Sequence, residues 1–200
     1  MADMAGKSTA MEADMAQPAE TEDELLVRRF AEGDLSVFDH IVERHQQRVA
    51  KLAWRLLGWT DEAEDVVQDV FLAAYKKLAD FRGQASLGSW LTAITINKCR
   101  TWRRKRLLRW KIHSAAQLDN HTCTDENHER TFDQETCNQL RRTIQILPAK
   151  LREVVILRYL EEMPIAEMTA VLNVTENTVH VRLNRARTRL REHLGNLFEE

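Results

Sequence analysis

The sequence predicts an all-α protein of two small helical domains joined by a flexible acidic linker, the C-terminal domain containing a helix-turn-helix. Three observations carry that expectation. Gly and Pro are scarce, 6 and 3 of 200 residues. Leu, Ala, Arg and Glu are plentiful, and these side chains lose little freedom in a helix. Apolar residues recur at three- and four-residue spacing on both sides of a polar, acidic stretch, Ile112 to Cys137, that lacks any such period.

Residues 1–24 are small, polar and acidic, and are expected to form a disordered tail. They hold no apolar core of a secretory signal. No apolar run in the chain approaches the ~18 residues of a membrane-spanning helix, so no membrane insertion is expected. Order is expected near Leu25, opening a first domain over 25–111. Leu25, Leu26, Arg29 and Phe30 start a short helix that Gly33 stops. Asp34 or Ser36 then caps a second helix with the core stripe Val37, Phe38, Ile41, Val42, Val49, Leu52, Ala53 and Leu56, ended by Gly58.

A third helix follows Asp61, its expected N-cap, with Glu64 as the reciprocal capping residue. Ala63, Val66, Val67, Val70, Phe71, Ala74 and Leu78 form its apolar stripe. Another face shows Asp65, Gln68, Asp69 and Leu72 at i, i+3, i+4 and i+7. Taken alone, that is the ordinary solvated side of a helix; it is also a candidate surface for a basic partner helix.

Phe81 to Gly88 reads as a loop with two glycines, and a helix is expected from about Ser89, with Trp90, Leu91 and Ile94 on its core side. Asn97 lies two turns beyond Trp90, on nearly the same side. From Lys98 to Lys111 come eight basic residues and no acidic one, interleaved with Trp102 and Trp110. A basic helix end complements its own dipole, but eight cations exceed that need. Cations that follow a backbone, with rings that stack on unpaired bases, suit single-stranded or distorted nucleic acid.

The linker, 112–137, holds His113, His121, Cys123, His128 and Cys137 without ligand spacing, so no metal site is expected. The chain's three cysteines, Cys99, Cys123 and Cys137, are odd in number and far apart, which fits reduced thiols in the cytoplasm.

The second domain spans 138–200. Leu140, Ile144 and Leu147 resume the helical period, and Pro148 opens a helix with Val154, Val155, Leu157 and Leu160 as its apolar positions. Ile165, Met168, Val171 and Leu172 mark the next short helix. Asn173 suits a sharp left-handed turn, and Thr175 suits an N-cap. The final helix sets Val179 and Leu183 against its predecessor, and five arginines lie between Thr175 and Arg191 with no acid after Glu176. The alternative is an ordinary helical hairpin with a solvated basic face, but such a face usually mixes its signs. Two short helices, a tight turn and a basic second helix instead describe a DNA-binding helix-turn-helix.

Net charge is −2, so the argument for nucleic acid rests on where the basic residues cluster. No nucleotide loop, nucleophile elbow, zinc-protease motif or dinucleotide fingerprint is present, so neither an enzymatic activity nor a cofactor is expected. A free-standing helix-turn-helix repressor or activator would account for the C-terminal domain but leaves Asp61–Lys111 without a role.

Together these residues resemble a bacterial RNA polymerase sigma factor of the extracytoplasmic function (ECF) group, over nearly all of Leu25–Leu194. DEAEDVVQDVF at Asp61–Phe71 resembles the region 2 helix that holds the polymerase clamp. FRGQASLGSWLTAITINKCR at Phe81–Arg100 resembles the −10 element reader. Leu147–Arg191 resembles region 4, the −35 reader. Within the group, the chain resembles the sigma factors of cobalt and nickel resistance operons.

The resemblance implies roles by position. Asp65, Gln68, Asp69 and Leu72 would face core polymerase. Phe81, Trp90, Asn97, Arg100, Arg103 and Arg104 would meet the melted −10 strand, with Asn97 on an extruded base. Thr178, His180, Arg182, Arg185, Arg187 and Arg189 would meet the −35 duplex. It also implies control by an anti-sigma factor, membrane-anchored in many cases, and a metal-stress or envelope-stress regulon. Asn173 departs from the family's usual turn glycine. The loop Gln84–Gly88 departs enough that the preferred −10 sequence is not implied.

Overall fold

The computed structural model describes residues 21–58, 60, 62–113 and 132–198, with side chains for all of these except 111–113, 132–138 and 194–198. The described residues form eight α-helices, a 3-10 turn and a π turn, and no strand. The tail 1–20, the Asp61 cap, and His121, Cys123 and His128 of the linker lie outside the described residues.

The chain turns helical earlier than its apolar spacing predicts. Helix α1 spans Glu22–Ala31, not a start at Leu25, because Thr21 and Glu24 form a capping box. Thr21 Oγ1 accepts from the Glu24 N–H at 3.3 Å, and Glu24 returns a carboxylate to the Thr21 N–H at 2.7 Å. This signal is polar, so a search for apolar period misses it. Asp23 ties α1 to α2 through Arg44 Nε at 3.2 Å and His45 Nε2 at 3.3 Å.

Helix α2 spans Val37–Leu57. Ser36 stands at its cap position but makes no capping bond; its hydroxyl donates to Asp34 Oδ1 at 2.5 Å instead. Gly58 closes the helix in the left-handed region, φ 86°, as the sequence predicts. Helices α3 (Glu62–Lys77) and α4 (Leu87–His113) complete a three-helix bundle with α2, and α1 lies across α2. Ile41, Leu52, Leu56, Leu78, Leu91 and Ile96 are fully buried there, each contributing roughly 1.5–3 kcal/mol by leaving water. Helix α4 begins two residues before the predicted Ser89, because Ser86 Oγ accepts from the Ser89 N–H at 3.2 Å. The buried hydroxyls of Thr92 and Thr95 donate to the carbonyls of Gly88 and Leu91, at 2.8 Å each.

The second unit comprises α5 (Phe132–Ile146), α6 (Ala149–Val155), α7 (Ile165–Leu172) and α8 (Glu176–Phe198), with a π turn, Ile156–Leu160, after α6. Helix α4 runs into the residues assigned to the linker, and α5 begins inside them. FDQETC has one large apolar residue and therefore no readable period. Helix α5 is held where its later turns pack on α6 and α8. The π turn carries one extra residue per bond: the Glu161 N–H reaches the Ile156 carbonyl at 3.0 Å.

The two units pack directly on each other, which a flexible linker did not predict. Helix α4 lies against α7, and α2 lies against α6 and the π turn. Arg152 spans the joint, donating to the carbonyls of Leu56 at 3.0 Å, Leu147 at 3.1 Å and Gln145. Burial pushes its guanidinium down to about 10, with Arg103 adding repulsion. Gln145 donates to the Arg55 carbonyl at 2.8 Å and lies where a side chain on Gly58 would sit, 3.0 Å from an ideal Cβ.

Candidate nucleic-acid interface

Helices α7 and α8 form the helix-turn-helix. Asn173 takes the left-handed turn at φ 53°, ψ 57°. Thr175 caps α8, accepting from the Thr178 N–H at 3.3 Å. Val179, Leu183 and Ala186 are buried, which fixes the rotation of α8 and turns the opposite face outward. His180 and Arg187 are exposed on one flank of the buried side and Arg185 and Arg189 on the other, and Arg182 and Thr178 are half-buried. His180 lies 3.5 Å from Glu176, and Thr178 Oγ1 lies 2.9 Å from Thr175 Oγ1. Arg187 is the residue of this set that a neighbouring element holds: its Nε donates to the Tyr159 hydroxyl at 2.9 Å, and its Nη1 donates to Asn184 Oδ1 at 3.3 Å. Tyr159 comes from the π turn and was not legible as a partner from its sequence position.

The second surface lies on α4 and the loop before it. Phe81 and Trp90 are half-buried and packed on each other, ring centroids 5.3 Å apart at 56°. They line a cavity of about 410 Å³ with Arg82, Gln84, Ser89 and Ala93. Its far wall comes from the second unit, through Glu167, Ala170 and Val171 of α7. The Glu167 carboxylate accepts a hydrogen bond from the Ser89 hydroxyl. Asn97 is exposed one helical stretch further along, with its backbone carbonyl taken by Thr101 Oγ1 at 2.9 Å.

The basic run divides in two. Arg104 to Trp110 are exposed, with Arg104 held to Thr101 Oγ1 at 3.2 Å and Arg106 over the Trp102 ring at 5.1 Å. Arg100 and Arg103 turn the other way, onto Glu153 of α6. Arg100 makes a bidentate pair, Nε to Oε1 at 3.1 Å and Nη2 to Oε2 at 2.7 Å, and Arg103 Nη2 adds a bond to Oε1 at 2.8 Å. The hydrogen bonds to Glu153 hold the Arg100 guanidinium above its ordinary value. Glu153 is 1% exposed. Its one sequence signal is a charge on the core side of an apolar helix, LREVVILRYL. Behind this cluster Cys99 is buried, and burial pushes its thiol up to about 12, so it is an unreactive packing residue at neutral pH.

The third surface is the outer face of α3. Asp65, Gln68, Asp69 and Leu72 are all exposed, and Leu72 exposes 59% of its area. Lys98 Nζ lies 3.8 Å from Asp69. Among the described residues no group of three or more acidic, His or Cys side chains is placed to hold a metal, and no helix is long and apolar enough to cross a membrane.

A helix-turn-helix with a basic second helix, joined to a bundle with its own basic–aromatic face, defines the class as a DNA-binding protein. Comparison with known proteins specifies which. Residues 41–108 match the family described as Sigma-70 region 2, and residues 137–190 match Sigma-70, region 4. The ECF RNA polymerase sigma factor SigM of Mycobacterium tuberculosis is 34% identical over 87% of this chain and 85% of its own length. The ECF RNA polymerase sigma-E factor of Escherichia coli is 32% identical over 82% of this chain and 90% of its own. Among solved structures, CnrH in complex with the cytosolic domain of CnrY superposes with a TM-score of 0.63 at 28% identity, covering 87% of this chain and 97% of that one. The chain belongs to the ECF group of RNA polymerase sigma factors, and its function is to direct transcription initiation.

Proposed function

We propose that this sigma factor reads the −35 duplex with α8 and captures the melted −10 strand with α4 and the loop at Phe81. Thr178, His180, Arg182 and Arg185 address base edges early in α8, and Arg187 and Arg189 address phosphates later in it. Phe81, Trp90 and Asn97 take an extruded base, with Asn97 offering donor and acceptor to its edge. Arg100, Arg103 and Arg104 follow the strand's backbone. Asp65, Gln68, Asp69 and Leu72 face a basic helix of core polymerase. The chain works in the cytoplasm, where polymerase is, as an initiation factor with no catalysis of its own. A membrane-anchored anti-sigma factor that covers both units restrains it until a metal or envelope stress releases it. The solved complex of CnrH with the cytosolic domain of CnrY supports that last element.

The observation that carries the reading is the pairing of a basic helix-turn-helix with a separate basic–aromatic face in one chain. Promoter opening needs duplex recognition at one site and single-strand capture at another. A lone helix-turn-helix regulator needs only the first, and commonly binds palindromic half-sites as a dimer. Run-off transcription with purified core polymerase separates the two. Specific initiation at a −35/−10 promoter, with little binding by the free chain, is the expected result. Tight binding of the free chain to a palindromic site, with no effect on initiation, would favour the regulator.

A further inference from the structure

Val179, Leu183 and Ala186 define the buried side of α8. At about 3.6 residues per turn, the line opposite that side holds Asn177, Val181, Asn184 and Thr188. All four are exposed and none is charged. The basic side chains stand beside this crest, His180 and Arg187 on one flank, Arg185 and Arg189 on the other. Val181, at the centre of the crest, exposes 39% of its area. A single exposed valine is ordinary. One at the crest of a helix, between arginine-bearing flanks, has a position that folding does not ask for. Its neighbour Asn184 is oriented: Arg187 Nη1 donates to its Oδ1 at 3.3 Å, so Nδ2 is the end turned away from that guanidinium. Thr188 differs, because its hydroxyl is committed to the Asn184 carbonyl at 3.2 Å.

A major groove about 12 Å wide admits a helix whose crest meets the base edges and whose flanks lie toward the two phosphate walls. Arginines on both flanks can reach those walls and the outer parts of the groove floor. The chemistry of the crest says what it reads. A valine side chain has no hydrogen bond to offer, and its apolar partner in the major groove is the thymine C5 methyl, a group no other base carries. An asparagine carboxamide matches adenine, Nδ2 donating to N7 and Oδ1 accepting from the N6 amine. A carbonyl oxygen has two lone pairs, so Oδ1 can do this beside its bond from Arg187. The two residues are three apart, about 4.5 Å along the helix axis, close to the roughly 3.4 Å step of the duplex. We propose that Val181 and Asn184 are specificity determinants for the −35 element, reading two neighbouring A·T pairs, Val181 through a thymine methyl and Asn184 through an adenine edge. The proposal rests on the −35 assignment of α8 and extends it from the basic residues to the uncharged ones between them.

The test uses the full chain with core polymerase. Holoenzymes carrying wild type, Val181→Ala, Asn184→Ala or Arg185→Ala transcribe a promoter library randomised over the −35 element, and sequencing the transcripts reads the preference at each position. Wild type should favour A·T at two adjacent positions. Asn184→Ala should flatten one of them by about fivefold or more, and Val181→Ala the other by about two- to fivefold, with the remaining positions unchanged. Base analogues then isolate the atoms. Deoxyuridine in place of the thymidine removes only the methyl, and 7-deazaadenine in place of the adenine removes only the N7 acceptor. Each should weaken initiation by wild type and cost the matching alanine variant nothing further. An analogue that costs wild type and its alanine variant the same factor would overturn that contact. Wild type without an A·T preference at two neighbouring positions would overturn the proposal as a whole. Arg185→Ala tells the two levels apart. If it alters the −35 preference while Val181→Ala and Asn184→Ala read as wild type does, the crest assignment alone is wrong. If none of the three alters it, the −35 assignment of α8 is at fault.

Discussion

Arg187 Nε donates to the hydroxyl of Tyr159 at 2.9 Å, which ties the outer face of the recognition helix to the π turn. That bond aims the guanidinium before DNA arrives. Tyr159→Phe should therefore weaken binding to the −35 duplex by about 0.5–1.5 kcal/mol, the net value of one hydrogen bond, without changing base preference. Arg187→Ala should lose more and reduce the salt dependence of binding by about one counterion. Titration at several salt concentrations checks both. A change of sequence preference in Tyr159→Phe would mean that Arg187 reads a base.

Arg182 and Arg189 lie on the same helix at different depths, Arg182 half-buried and Arg189 exposed. Arg182→Ala should cost about 1–3 kcal/mol at one base position and relax preference there, as loss of a bidentate base contact does. Arg189→Ala should weaken all sequences alike. Binding to a set of −35 variants measures the difference, and equal selectivity in both mutants would show the reading face to be elsewhere.

The exposed acids of α3 are predicted to matter for polymerase and not for folding. Asp69 has a 3.8 Å contact to Lys98, with Asp69 exposed and Lys98 half-buried, so its loss should cost at most about 1 kcal/mol of stability. Asp65→Lys/Asp69→Lys should keep its helix content yet lose core polymerase in a pull-down, through like-charge contacts. Undiminished capture by the folded double mutant would discard the assignment.

Asn97→Ala should leave thermal stability, polymerase binding and −35 recognition intact, because the side chain is exposed. Open-complex formation and discrimination at one −10 position should fall. Permanganate footprinting on a duplex promoter, and on one with a pre-melted bubble, reads both effects. Normal opening with wild-type base preference would remove Asn97 from the capture site.

Cys99 gives a pH signature. Its folded-state thiol is pushed from 9.0 to about 12 by burial, so the native chain keeps the proton after the unfolded chain has lost it. Stability should therefore fall as pH rises above 9, by up to about 1.4 kcal/mol per unit from this group. Cys99→Ala should be less stable at neutral pH but lack that part of the slope. Denaturant unfolding at pH 8, 9 and 10 compares them; identical slopes would show that the thiol is not held neutral.

Residues whose behaviour depends on near neighbours in the chain were legible in the sequence. Asn173 in the left-handed turn, Thr175 as a cap, Gly58 as a stop, and Val179 and Leu183 as the buried side of α8 follow from backbone preference and helical period. So did the all-helical class, the helix-turn-helix and the acidic face of α3. The early start of α1 was written in the sequence too, but in the polar pair Thr21 and Glu24. Only the tertiary structure decided where the basic run would face. Arg100, Arg103 and Arg104 share one helix and one charge, yet the first two meet Glu153, more than fifty positions away in the case of Arg100, while Arg104 faces water. Helical period sets which residues share a side, but a partner from a distant segment sets what that side touches. Tyr159 meets Arg187, and Glu161 meets Arg55, for the same reason: each partner comes from a distant segment, Tyr159 standing in the π turn after α6 and Glu161 directly behind it. A one-residue change of helical register is an outcome of packing, and it leaves no mark in local spacing.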